Sequence, residues 1–214
     1  MTQTNIKKQI ANGCNTSLNI IARYYGLQSE ESIEDFVLFP SEDVDENSGQ
    51  ILFEENIENE EFFIGIQFGK KIYHEFENKN IISLNTLAVV AEETSHFKLI
   101  TDSVLLKSSL SKLEIETLGE IDRFLCLMHW NNENKTHRIE KNWKNLHQIC
   151  DEVFQGNRFK ENKNPLYIDA EAIAFKHLRQ AFSKDWDSSY FNFSLIDIHA
   201  CNYLTKLRKM ILRA

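Results

Sequence analysis

Ser83-Leu-Asn-Thr-Leu-Ala-Val-Val-Ala-Glu-Glu-Thr-Ser-His-Phe-Lys-Leu-Ile-Thr-Asp-Ser-Val-Leu-Leu106 is the stretch on which the fold turns. It contains no glycine or proline, the residues that most readily break a helix. Ser83 stands where an N-cap belongs, its hydroxyl able to accept an otherwise orphaned backbone N–H. The pattern predicts a helix from Ser83 to about Leu106. A second should follow to Trp130, because Ser111 precedes Glu114 by three residues, the spacing of a capping box.

Downstream, an exposed turn is expected at Asn131 to Lys135. A helix then runs from about His137 to Phe154 with Ile139, Trp143, Leu146, Ile149, Cys150 and Val153 on one side. Further helices are expected over Ile168 to Phe182 and Leu195 to Leu212. Upstream, Ile10, Cys14, Leu18, Ile21 and Tyr25 recur at helical spacing, so a helix is predicted over Ile6 to Tyr25, stopped by Gly26. Ser29 and Ser32 then start a short helix through Glu34 to Leu38, ended by Pro40.

Between these helical regions the period changes. Ile51 to Glu55 and Glu61 to Phe68 read as two strands joined around Asn56 to Glu60, with Phe62, Ile64, Ile66 and Phe68 on one apolar face. Ile72 and Tyr73 either extend the second strand or begin its exit. A lone hairpin is marginal in water, so it must lie against helices. The reading is an α+β, predominantly α chain: a helical bundle with a small antiparallel hairpin near the N-terminal side. One domain is expected over 1–214, with an acidic α/β front region at 1–80 and the bundle at 81–214.

Composition narrows the function. Only two prolines and seven glycines among 214 residues favour long helices, and 42% hydrophobic content supports a packed core rather than disorder. A formal net charge of −8 opposes nucleic-acid binding, which draws its affinity from lysine and arginine. Cys14, Cys126, Cys150 and Cys201 form no C-x-x-C pair and read as reduced, buried thiols. No apolar leader or span of about 18 residues is present, so a cytoplasmic protein is expected.

From Tyr24 to Gly69 there are thirteen acidic residues and no lysine or arginine. Such a run can act as an electrostatic surface for a basic partner. Glu42, Asp43, Asp45, Glu46, Glu54, Glu55 and Glu58 are its candidate contact residues. The basic terminal cluster Lys206, Arg208, Lys209 and Arg213 reads as a packed helix or an amphipathic one.

Chemistry, if present, centres on Glu92, Ser95 and His96. Glu92 and His96 are four apart and Glu93 and His96 three apart, so either pair shares a helix face. Glu116, Glu120 and Asp122 on the following helix are possible partners. Carboxylates and imidazoles on neighbouring helices are how bundles hold metal ions, and Glu92, His96, Glu120 and His199 form the candidate ligand set. Only one E-x-x-H motif is present, where a di-iron bundle needs two. The plainer alternative is a Glu92–His96 or His96–Asp122 pair that fixes helix packing, with Glu116 and Glu120 on a solvated face. Glycine-rich phosphate loops, H-E-x-x-H, G-x-S-x-G and calcium loops are all missing from the sequence.

The run Glu92-Glu-Thr-Ser-His-Phe97, followed by Glu114-Ile-Glu-Thr-Leu-Gly-Glu-Ile-Asp-Arg-Phe124, resembles paired motifs of an uncharacterised proteobacterial family. There the pattern is E-x-x-S-H-F, then E-x-E-x-x-x-E-x-D-[KR]-F. The likeness covers about residues 50 to 130, including the hairpin, and departs at Glu93, Thr94, Thr117 and Gly119. It implies no activity, but it singles out Glu92, Ser95, His96, Glu116, Glu120 and Asp122.

The acidic run and the missing catalytic motifs together point to a bacterial accessory or regulatory protein. It would bind a partner protein with a basic surface and need no cofactor. The alternative is a helical-bundle metalloenzyme centred on His96, with a metal ion as cofactor. A toxin or effector acting inside another cell is a third reading.

Overall fold

The computed structural model describes residues 3–25, 27, 32–56, 59, 61–78, 82–107, 109–133 and 164–182. The chain is predominantly helical with one two-stranded antiparallel hairpin, the expected α+β class. The helices expected over His137 to Phe154 and Leu195 to Leu212 lie outside the described residues. So do Gly26, Ser29, Glu58, Cys150, His199 and Cys201.

Helix α1 (Gln3–Tyr25) buries Ile6, Ile10, Cys14, Leu18, Ile21 and Tyr25, the stripe its spacing predicts. Strands β1 (Gly49–Asn56) and β2 (Glu61–Phe68) pair with Gly49 opposite Phe68 and Asn56 opposite Glu61. Ile66 and Phe68 are fully covered on the helix-facing side, while the outer half of β1 is exposed. At Gly65 the Leu38 side chain covers the other face so closely that an added Cβ would lie 2.7 Å from it.

The chain differs from its sequence reading in two places and resolves an open alternative in a third. The helix expected from Glu34 to Leu38 is a single 3-10 turn, Glu34–Phe36. Val37 bridges Ile66 instead, and the Leu38 N–H donates to the Ile66 carbonyl at 2.8 Å, so strand pairing takes the donor a helix would need. Of the two readings of Ile72 and Tyr73, the exit from β2 is the one that holds: they lie in helix α2 (Lys70–Asn78). Their amides donate to the Gly69 carbonyl, and the Tyr73 hydroxyl donates to the Leu38 carbonyl. The helix expected to end at Trp130 continues to Glu133, with no glycine or proline to stop it, and the rest of the turn expected over Asn131 to Lys135 lies outside the described residues.

Helix α3 (Leu84–Leu105) is capped by Ser83, whose hydroxyl accepts the Thr86 N–H at 3.2 Å. Glu75 of α2 in turn accepts the Ser83 amide and hydroxyl. The capping box at α4 (Lys112–Glu133) forms in both directions: the Glu114 carboxylate accepts the Ser111 amide, and the Ser111 hydroxyl accepts the Glu114 amide. A tight turn at Lys107, with φ of 51°, reverses the chain between the two helices. Helix α5 (Pro165–Phe182) packs on α4.

Two apolar clusters meet at α3. One joins α1, the hairpin and α2 to Val90 and Phe97. The other joins the end of α1, α4 and α5 to Ala88, Ala91 and Leu99. Between them Glu92, Glu93, Thr94, Ser95 and His96 are all buried, so α3 is covered around its whole circumference at that level. A helix buried on all sides is ordinarily apolar, which makes this polar turn costly unless its groups are paired. No described helix is long and apolar enough to cross a membrane.

Candidate metal centre

The partners along α3 and α4 fix how the polar turn is built. Glu116 faces His96, Asp122 faces Ser95 and Arg123 faces Glu92, so numbers rise on one helix as they fall on the other. The helices are antiparallel, and the acid-rich face of α4 lies on the polar turn of α3. Gly119 permits the approach: a Cβ there would stand 2.5 Å from His96 Nε2.

The His96 ring lies between two carboxylates. Nδ1 is 3.7 Å from Glu93 Oε2, and Nε2 is 3.6 Å from Glu116 Oε2. His96 is 9% exposed, and Nε2 has no hydrogen-bond partner among the described residues. Glu92, His96 and Glu116 each offer a donor atom within 4.8 Å of the others, Glu116 standing at the half-buried rim.

Two further groups flank this trio. Arg123 donates from Nη2 to Glu120 Oε2 at 2.5 Å and brings Nη1 to 3.8 Å from Glu92. On the other side, Asp122 accepts Ser95 Oγ at 2.5 Å and the Tyr25 hydroxyl, tying the end of α1 to both central helices. Lys98, also buried, is held by Asp102 at 2.9 Å.

Charge is unbalanced here. Among the described residues, five carboxylates, Glu92, Glu93, Glu116, Glu120 and Asp122, stand against three cationic groups, His96, Arg123 and Lys98, the last also held by Asp102. Titration follows from that imbalance. Burial pushes Asp122 up to about 6, against the hydrogen bonds from Ser95 and Tyr25 that favour its ionised form. Burial likewise raises Glu116, reinforced by Glu92, Glu93 and Glu120, while His96 opposes. For His96 burial acts downward, but Glu93, Glu92 and Glu116 outweigh it and carry the imidazole to about 9. All three shifts favour the more positive form, so the folded cluster takes up positive charge.

The singled-out residues Glu92, Ser95, His96, Glu116, Glu120 and Asp122 thus share one buried cluster. Within the expected ligand set Glu120 is bound to Arg123, and Glu116 takes its place beside Glu92 and His96. Neither Glu116 nor Glu120 lies on a solvated face: Glu120 is 3% exposed and Glu116 half-buried. The sequence singles out neither Arg123 nor Tyr25 as a site residue, whereas it does mark both carboxylates beside His96, Glu93 and Glu116. Arg123 follows Asp122 directly and sits three residues after Glu120, a spacing that could have marked the ion pair.

Cys14 and Cys126 are free and buried, as expected of inert thiols, and burial pushes Cys14 up to about 12. Glu42, Asp43, Asp45, Glu46, Glu54 and Glu55 are exposed, and Glu42 already pairs with Lys70 at 2.9 Å. No family model, curated protein or solved structure matches the chain.

Proposed function

We propose that this protein binds one divalent first-row transition ion through Glu92, His96 and Glu116, as a helical-bundle metalloprotein. The observation that carries this reading is His96, whose Nε2 is buried without a hydrogen-bond partner among the described residues and which groups with the carboxylates of Glu92 and Glu116. A buried polar atom left in this state is costly, and a cation would satisfy it together with the excess acid around it. One imidazole and two carboxylates suit manganese, iron or zinc better than calcium, which prefers oxygen alone. Three protein ligands leave a position for water or substrate, where the ion would act as a Lewis acid. Glu116, at the rim, marks the side from which that position is reached.

Elemental analysis of protein purified without added metal tests this directly. The expected result is a stoichiometric first-row metal that is lost in His96→Ala. Metal-free protein that also fails to take up added manganese, iron or zinc would end the reading.

A second reading is supported by the acids on the front region, which stand beside exposed Leu52, Phe53 and Phe63 on the hairpin. Here the chain is a cytoplasmic bacterial accessory protein whose hairpin and acidic loop dock on a basic partner protein. Replacing Asp43, Asp45, Glu54 and Glu55 with serine should then abolish capture of that partner, and unchanged capture would discard it.

A further inference from the structure

His96 has two nitrogens and two carboxylates on opposite sides, and only one of those carboxylates belongs to the proposed ligand trio. Glu116 Oε2 faces Nε2, and Glu116 and Glu92 are the two carboxylates that group with His96. Glu93 Oε2 faces Nδ1 on the far side of the ring. Imidazole can bind a metal through one nitrogen only when the proton is carried by the other, and the group accepting that proton decides which nitrogen is free.

Glu93 is itself held from outside the helix pair. Gly49, the first residue of β1, lies against its side chain, so that a Cβ at Gly49 would fall 2.5 Å from Glu93 Cγ and 3.2 Å from Cδ. Gly49 is fixed in turn by its pairing with Phe68, whose side chain is fully buried. The hairpin base therefore closes the space into which Glu93 would otherwise swing away from His96.

We propose that Glu93 is the positioning residue of the metal site: it accepts the Nδ1 proton of His96, presents Nε2 to the ion, and is kept there by Gly49 at the base of the hairpin. The proposal rests on the metal reading above and adds to it a defined orienting group and a link from the site to the hairpin. Glycine at position 49 is then a requirement of the site as well as of the strand, because any side chain would displace the orienting carboxylate.

The test is titration of the full chain with Co²⁺, read by its visible absorption bands, for the natural protein, Glu93→Gln, Glu93→Ala and Gly49→Ala. Orienting partners of this kind typically contribute 10–100-fold in metal affinity. Glu93→Ala should weaken Co²⁺ binding by about that factor and alter the band shape. Glu93→Gln, whose amide oxygen still accepts the Nδ1 proton, should recover part of the loss, and Gly49→Ala should weaken binding in the same direction as Glu93→Ala. Should Glu93→Ala not fold, Glu93→Asp, whose carboxylate is shorter by one methylene, carries the same expectation. Co²⁺ binding with unchanged affinity and spectrum in folded Glu93 variants would overturn the role of Glu93 while leaving the metal site standing. A natural protein that binds no Co²⁺ would overturn both.

Discussion

Two buried histidines in this molecule behave in opposite ways. His96 sits in the α3–α4 contact among carboxylates, which carry it up to about 9 against the cost of burial. His177 sits on α5 beside Ala174 and Leu178, is 8% exposed, and burial alone takes it down to about 4. Its Nε2 has no hydrogen-bond partner among the described residues, and no carboxylate offsets its burial as at His96. Burial is common to both. The surrounding charge sets the sign, and of these two sites the α3–α4 contact is the one organised to hold a positive group.

Breaking each region should therefore give unequal results. Arg123→Ala leaves Glu120 buried without its close ion pair and should cost about 3–5 kcal/mol in urea unfolding. In contrast His177→Leu, a swap of similar volume into an apolar contact, should change stability by less than about 1.5 kcal/mol. Equal losses in the two variants would contradict the distinction.

The pH dependence of the metal-free protein sharpens it further. The stability His96 contributes is complete below its unfolded value near 6.5 and is lost as pH rises through about 9. For His177 the sign reverses: its contribution is present above about 6.5 and is lost as pH falls through about 4. Each effect is on the order of 3 kcal/mol. Asp122, pushed up to about 6, destabilises the fold as pH rises from its ordinary range and so overlaps the His177 window with opposite sign. Differences between the natural chain and single variants isolate each group: His96→Gln should remove the alkaline fall and His177→Gln the acid one. Denaturant midpoints measured across pH 4 to 10 check both.

Packing at the helix crossing is the next smaller effect. Gly119→Ala should cost about 1–3 kcal/mol, because its methyl meets the His96 ring. The same substitution should weaken any ion held by Nε2. Smallest is the turn between the helices, where Lys107→Gly relieves a left-handed backbone and should raise stability by about 0.5–1 kcal/mol in thermal unfolding.

Much of this was legible in the sequence, because local chemistry wrote it there. Ser83 and the Ser111/Glu114 box act within one turn, so both caps could be placed from spacing alone. Alternation along Phe62 to Phe68 located β2 for the same reason. Non-local competition was less readable: the Glu34 helix gives way because Val37 and Leu38 find Ile66 in space. In the site, helical spacing grouped Glu92 with His96 and brought Glu116, Glu120 and Asp122 opposite them. It could not show which carboxylate Arg123 would claim, and so it named Glu120 where the geometry offers Glu116. Nor could spacing reveal that Gly119 admits His96, since a glycine inside a helix reads first as a weakness.

The acid-lined His96 cluster should attract a metal cation. Calorimetric titration with Zn²⁺ and Mn²⁺ of the natural chain, beside the folded double variant Glu92→Gln/Glu116→Gln, measures this most directly. One ion per chain in the first, and at least about a hundredfold weaker binding in the second, is the predicted result. Ions that bind both proteins equally, or neither, would contradict it.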